Sequence, residues 1–322
     1  MNPFAFHEPK TAEEAATLLA GKDALALAGG VDLLGELKEG IRSPAALVNL
    51  FAIPGLNEIR KTENGWRIGA TARLIDIIEH EGIRKDLASL AEAALAVGTP
   101  QIRNQGTLGG NLAQRPRCWY YRSAEFSCLK KGGQGCPAIE GENAYLAVLG
   151  GGPCHIVHPS DCAPMLVALG ARVFLRGPDG ARDLPLEDFY ELPSKNALGE
   201  TVLKPGEFIE AVDVPAALPR STYVKIREKD SFDFALASCA IAGKIEGDHF
   251  VEARVVLGGV APIPWRVTAA ESNLLKNTLA DAVDPAANAA AEGAKPLSHN
   301  AYKVPLIKTA VARAIRSFGG AK

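Results

Sequence analysis

The chain lacks most of the features that announce a function at first sight. No apolar run approaches the ~20 residues needed to span a bilayer, so no membrane-crossing helix is expected. Neither charge sign is in excess: 35 Lys and Arg against 37 Asp and Glu leave a net charge of −2, which removes the electrostatic case for nucleic acid or an anionic surface. No G-x-G-x-x-G occurs, so a Rossmann dinucleotide site is not supported. The first residues, MNPFAFHEPK, lack a charged segment followed by an apolar one, which predicts no export signal and a cytoplasmic chain. Cysteine is sparse, six in 322 residues, far too few for a disulfide scaffold. Five of those six fall between Gln101 and Ala163, and such crowding favours a metal or redox role.

What remains is the composition of a globular protein, 47% hydrophobic and 22% charged, long enough for two or three domains. Thr11-Ala12-Glu13-Glu14 is a capping box that opens a short amphipathic helix ending at Gly21. Ala24 to Ala28 reads as a buried strand, Asp32 to Glu39 as a helix closed by Gly40, and Ala46 to Leu50 as a second strand, together a small βαβ-like unit. Pro54-Gly55 marks a joint, beyond which Ile59 to Thr62 and Trp66 to Ile68 flank the hairpin signal Asn64-Gly65. Helices are predicted at Leu74 to Glu79 and Leu87 to Val97. An apolar run from Met165 to Leu169 and strands at Val173 to Arg176 and Phe208 to Val214 follow. Pro215 to Pro219 reads as a linker. Strands at Tyr223 to Arg227, Cys239 to Ile245 and Val251 to Leu257, then helices at Leu279 to Ala291 and Pro305 to Ser317, predict a closing α+β domain.

Between residues 112 and 157 periodicity fails. A structureless stretch of that size inside a compact domain normally carries function. Gly-rich turns stand before it. Ala28-Gly29-Gly30-Val31-Asp32 lies at a strand-to-helix turn, where glycines let backbone approach an anion and the next helix directs its N–H groups at it. Thr107-Leu108-Gly109-Gly110-Asn111 is a second such turn, and the two together could clamp one diphosphate; each could also simply turn the chain.

Four segments in order, ALAGGVDLL, QIRNQGTLGGNL, HPSDCAPMLVALGA and YVKIREKDSFDFALA, resemble the flavin-binding subunit of the xanthine dehydrogenase family of molybdenum hydroxylases. The resemblance runs from Phe6 to about Arg316. It implies an α+β fold: an FAD-binding region of the p-cresol methylhydroxylase type in two subdomains, 1–54 and 55–216, then a C-terminal α+β domain of the CO dehydrogenase flavoprotein type, 217–322. By the same resemblance Ala28, Gly29, Gly30, Val31, Asp32 and Leu33 hold the FAD pyrophosphate, with Val31 where the family usually has Thr. Gly106, Thr107, Gly110, Asn111, Ser160, Asp161 and Ile209 are further implied FAD contacts. Lys225 is an implied positive charge near the flavin ring, where it would stabilise an anionic reduced form. Asp161 and Lys225 could also be ordinary surface charges.

Most of the family passes directly from the Gly-Gly-Asn turn to the Ser-Asp segment. This chain inserts residues 113–157, with Cys118-x9-Cys128-x7-Cys136-x17-Cys154. The insertion resembles two branches of the family, the 4-hydroxybenzoyl-CoA reductase medium subunit and the flavin subunit of bacterial three-subunit aldehyde oxidoreductases, both of which carry a 4Fe-4S cluster on this loop. RPRCWYY, SCLKKGGQGCPAIEG and CHIVHPSD are closer to the aldehyde oxidoreductase type. Four thiolates saturate such a cluster. Arg115, Arg117, Arg122, Lys130 and Lys131 would offset its negative charge, and Gly132, Gly133 and Gly135 would offer N–H groups to its sulfides. His155 and His158 beside Cys154 leave a Cys/His zinc site open. Cys162 and Cys239 read as buried small apolar residues.

The resemblance thus implies an FAD and 4Fe-4S electron-transfer subunit with no substrate acid or base of its own. It would work with a large molybdopterin subunit and a small 2Fe-2S subunit of an aldehyde-oxidising heterotrimer, and pass electrons to an external acceptor. Reversed flow, as in the reductase branch, or a zinc-loop scaffold without redox role are the alternatives. Export alongside a signal-bearing partner would make the subunit periplasmic instead of cytoplasmic.

Overall fold

A computed structural model describes residues 1–216, 218, 220–230 and 232–318. It is built on three sheets, each with its own helical cover. In the first, β1 (Ala5–His7), β2 (Ala24–Leu27) and β3 (Ala46–Asn49) run parallel in the order β1-β3-β2. Half of the predicted capping box forms: Thr11 Oγ1 accepts from the Glu14 N–H at 3.1 Å. Glu14 reaches back one residue further than expected, to the Lys10 N–H at 2.7 Å. The capped helix, Ala12–Leu19, buries Ala15, Ala16 and Leu19 against Val48 and Leu50.

The second sheet is antiparallel: β4 (Ile59–Thr62), β5 (Gly65–Gly69), β6 (Arg172–Gly177), β7 (Gly180–Pro185) and β8 (Phe208–Pro215), in the order β4-β5-β8-β6-β7. Thr62 pairs with Gly65, so Glu63-Asn64 forms the two-residue turn and Gly65 takes a φ of 154°. A Cβ on Gly65 would collide with the Val214 carbonyl, so glycine is what lets β8 close up beside this turn. Helices Leu74–Glu79, Glu81–Asp86 and Ala88–Leu95 share one core with this sheet through Ile68, Leu90 and Val212. The Cys162–Ala168 helix joins that core through Leu166 while packing against the strands Ala237–Glu246 and His249–Gly258. The run 162–168 is buried at every residue, which is why it shows no helical periodicity in sequence.

The third sheet, in the order β12-β11-β10-β9, contains β9 (Arg220–Ile226), β10 (Ala237–Glu246), β11 (His249–Gly258) and β12 (Trp265–Arg266). Helices Thr268–Lys276, Val283–Ala290 and Lys303–Phe318 pack on it through Ile241, Phe250, Leu274, Ile307 and Ile315. The predicted linker 215–219 is described only in part: Pro215 ends β8, Leu218 is buried, and residues 217 and 219 lie outside the described residues. Among the described residues no helix is long and apolar enough to cross a membrane.

Candidate functional site

A cavity of about 670 Å³ runs from the C-terminal end of β2 to the start of β8. The two Gly-rich turns face each other across it for a steric reason. A Cβ on Gly29 would collide with the Gln105 carbonyl, so only glycine lets the first turn touch the end of the Pro100–Gln105 helix. Gly30 follows at φ 69°, a left-handed conformation open to glycine at no cost. In the second turn, Gly109 lies against Ala70, whose carbonyl accepts its N–H at 2.8 Å.

Ala28, Gly29, Gly30, Val31, Asp32, Leu33, Gly106, Thr107, Gly110, Asn111, Asp161 and Ile209 all line this cavity. Ser160 and Lys225 do not reach it and stand one layer behind. The Ser160 hydroxyl donates to Asn111 Oδ1 at 2.5 Å and accepts from the Ala163 N–H at 2.9 Å, so it fixes the Asn111 amide and opens the Cys162–Ala168 helix. Lys225 Nζ meets Asp161 Oδ2 at 2.7 Å, and the Tyr223 hydroxyl donates to Asp161 Oδ1 at 2.6 Å. Both members of this ion pair are 5% exposed, which overturns the surface-charge reading. Burial raises the Asp161 carboxyl pKa, and Lys225 pulls it back. One strand of the third sheet thus sends a cation into the wall of a cavity formed by the other two.

His158 is also built in. Nε2 lies 3.2 Å from the Leu112 carbonyl, and Nδ1 accepts from the Ser160 N–H at 3.4 Å, an arrangement that needs the neutral Nε2–H tautomer. Burial agrees, pushing its pKa down to about 4. This His therefore serves the backbone of the second turn and is no metal ligand. Phe232, Asp233 and Phe234 at the cavity mouth, and Leu203 to Gly206 at its far end, line the cavity without having been predicted. Pro205-Gly206 and the charged run Arg227 to Asp230 were available as local signals for these loops, but neither says which cavity the loop reaches.

The insertion keeps its irregular backbone, yet it converges. Cys118, Cys128 and Cys154 are buried in one cluster with Tyr121, Ala138, Leu146 and Ile156, and half-buried Cys136 packs against it. The Cys154 thiol donates to Cys136, holding the Cys136 pKa below the ordinary thiol value, while burial raises that of Cys118. Four soft donors in one desolvated place are the right chemistry for an iron–sulfur cluster. Among the described residues no group of three or more His, Cys, Asp or Glu is placed to hold a single metal ion.

Two expectations about this loop are corrected. The five nearby cations do not stand free to offset a cluster. Arg117 and Arg122 pair with Asp32, Arg115 and Lys130 with Glu200, and Lys131 Nζ donates to the Ser123 carbonyl. The Gly132 and Gly133 N–H groups are spent on the Leu129 and Cys128 carbonyls, which close the turn between two cysteines. Cys162 and Cys239 are fully buried, and burial raises both thiol pKa values, as suits small apolar residues.

Comparison with known proteins matches this geometry. Residues 2–217 match the FAD binding domain in molybdopterin dehydrogenase, and residues 221–318 the CO dehydrogenase flavoprotein C-terminal domain. The aldehyde oxidoreductase FAD-binding subunit PaoB of Escherichia coli K12 is 39% identical over 319 residues, covering 97% of each chain. The carbon monoxide dehydrogenase medium chain of Hydrogenophaga pseudoflava is 31% identical over 326 residues, covering 98% of this chain and 96% of that one. Among solved structures, the carbon monoxide dehydrogenase of Hydrogenophaga pseudoflava superposes with a TM-score of 0.78 at 29% identity, covering 99% of both chains. That of Oligotropha carboxidovorans gives 0.77 at 26%, covering 98% of this chain and 97% of that one. The fold is therefore the expected α+β one, and the chain belongs to the family of FAD-binding subunits of molybdenum hydroxylases.

Proposed function

We propose that this chain is the FAD and 4Fe-4S subunit of a three-subunit, aldehyde-oxidising molybdenum hydroxylase. The observation that carries the reading is the gathering of buried Cys118, Cys128 and Cys154, with half-buried Cys136 packed against them, beside a dinucleotide-sized cavity. The likeness to PaoB along the whole chain supports the aldehyde class. The division is 1–54 and 55–216 for the two flavin subdomains and 217–322 for the C-terminal domain.

The backbone of Ala28 to Leu33 would hold the pyrophosphate from one side of the cavity, and Gly106, Thr107, Gly110 and Asn111 from the other. Ser160 orients Asn111, Ile209 supplies apolar contact, and Asp161 with Lys225 places a fixed charge pair behind the wall. When bound, FAD supplies the exchange between two-electron and one-electron chemistry that links the 2Fe-2S subunit to an external acceptor. The protein's own work is to hold the cofactor and exclude water; no side chain here has to act as acid or base on substrate. The large molybdopterin subunit and the small 2Fe-2S subunit are the partners.

The test is anaerobic purification of the complex with both partners. The expected preparation shows flavin absorbance, about four iron and four labile sulfide on this chain beyond the partner's share, and aldehyde-dependent bleaching. Zinc at one per chain without added sulfide would overturn the cluster. Bleaching by carbon monoxide but by no aldehyde would overturn the substrate class.

A further inference from the structure

Asp32 lies at the N-terminus of the Leu33–Lys38 helix, where Asp is a favoured cap, yet its side chain caps nothing. It is turned toward the cysteine loop instead. Oδ2 accepts from the Arg115 backbone N–H at 2.7 Å, and Oδ1 meets the Arg122 guanidinium at 2.6 Å and that of Arg117 at 3.0 Å. One helical turn on, buried Glu36 accepts the Tyr121 hydroxyl. From the opposite side, Glu200 pairs with Arg115 at 2.9 Å and Lys130 at 2.7 Å. Cys118 sits in the middle of the segment these bonds hold.

A carboxylate is the wrong sign to face a phosphate, and both oxygens of this one are taken. We propose that the Asp32 side chain is a positioning group: it ties the first glycine turn to Arg115–Arg122, so that order in the cysteine loop and retention of FAD are energetically linked. The link rests on the reading of the cysteines as cluster ligands. Each site that orders the shared segment strengthens the other by the same factor, because linkage is reciprocal.

The test is a cycle on the assembled complex, stripped of flavin and titrated with FAD. Cys118→Ser is expected to weaken FAD binding about tenfold, within the usual range of coupling between sites. Asp32→Asn should weaken it similarly, and the double variant no more than Asp32→Asn alone. Hydrogen exchange at 115–130 should rise when flavin is removed from the wild type and stay constant in Asp32→Asn. Arg122→Gln, on the partly exposed side of the same contact, gives the same non-additivity should Asp32→Asn fail to assemble, and Arg122→Lys should recover part of the link. Additive losses in the double variant, or unchanged FAD affinity in Cys118→Ser, overturn the link. Wild-type complex that lacks this chain's iron and sulfide overturns the cluster reading instead, so the two failures are told apart.

Discussion

The C-terminal domain and the cysteine insertion achieve order by opposite means. In the former, β10 and β11 pair along their whole length, and Phe250, Ile241, Leu274 and Ile315 close an apolar core that excludes water by itself. In the latter, only Trp119–Arg122 is α-helical, and the core is three buried cysteines with Tyr121, Ala138, Leu146 and Ile156. The ion pairs of its arginines and of Lys130 go to carboxylates on other segments: Asp32, Glu36 and Glu200. A region with its own apolar core needs no ligand to fold. On the proposed reading, a region whose core is thiols and borrowed ion pairs depends on the cluster those thiols would hold.

The largest effect should separate the two outright. Phe250→Ala removes a fully packed ring and should cost about 3–5 kcal/mol, read as a lower urea midpoint with iron and sulfide content unchanged. Cys128→Ser should do the reverse: cluster lost and the loop opened to protease, with the midpoint of the main transition nearly unmoved. Equal shifts in both readouts for both variants would mean that the two regions share one stability.

Next in size is the flavin cradle. Gly29→Ala forces a methyl into the Gln105 carbonyl, and both strands of backbone must give way. At about 3 kcal/mol for such strain, FAD affinity should fall about a hundredfold, measured by flavin retained after gel filtration. The C-terminal midpoint should not change, since the atoms nearest to the added methyl belong to Gln105 and Gly106.

The seam between the two regions is polar and can be probed by pH. Asn143 Oδ1 accepts from the His299 N–H at 2.9 Å, and Lys303 Nζ donates to the carbonyls of Tyr145 and Gly259, each at 2.8 Å. Burial drives the Lys303 pKa down to about 7. In the unfolded chain it returns to about 10.4, so between these values the unfolded state binds the proton more tightly. Stability should therefore rise as pH climbs from 7 toward 10, by at most a few kcal/mol, and be independent of this group below 7. Lys303→Met should flatten that slope; an unchanged slope would place its cause elsewhere.

The same contrast explains what could be read from the sequence. Elements with a local signature were legible: the Thr11 cap, the hairpin signalled by Asn64-Gly65, whose turn falls one residue earlier at Glu63-Asn64, and the β10–β11 hairpin that turns at Gly247-Asp248. Elements that exist only by virtue of a partner were not. Strand β1 is three residues long and partly exposed, and its pairing with β3 comes from a segment four tens of residues away. The Thr268–Lys276 helix was missed because polar residues dilute its apolar face. At the site, glycine turns gave the cradle because a turn's chemistry is local. That Lys225 meets Asp161, and Asp32 meets Arg122, is set by tertiary packing and has no trace in spacing. The five basic residues of the insertion were legible as charges, but the carboxylates that claim four of them lie elsewhere in the chain.

The smallest expected effect concerns Val31, the position where the family usually has Thr. Its side chain is 43% exposed at the cavity edge, so a hydroxyl there gains a bond to phosphate only against competing water. A net hydrogen bond of that kind is worth about 0.5–1.5 kcal/mol, and Val31→Thr should tighten FAD by about two- to tenfold. The substitution is nearly isosteric and outside any core, so the urea midpoint of the flavin-free protein should not move. The gain belongs to the ligand-bound state alone. If FAD affinity is unchanged, the backbone N–H groups of Gly29 to Leu33 already saturate the pyrophosphate, and the cradle works without side chains. If it rises, the cradle resembles the insertion more than the C-terminal domain: a site whose strength is set by the polar groups that close on its ligand.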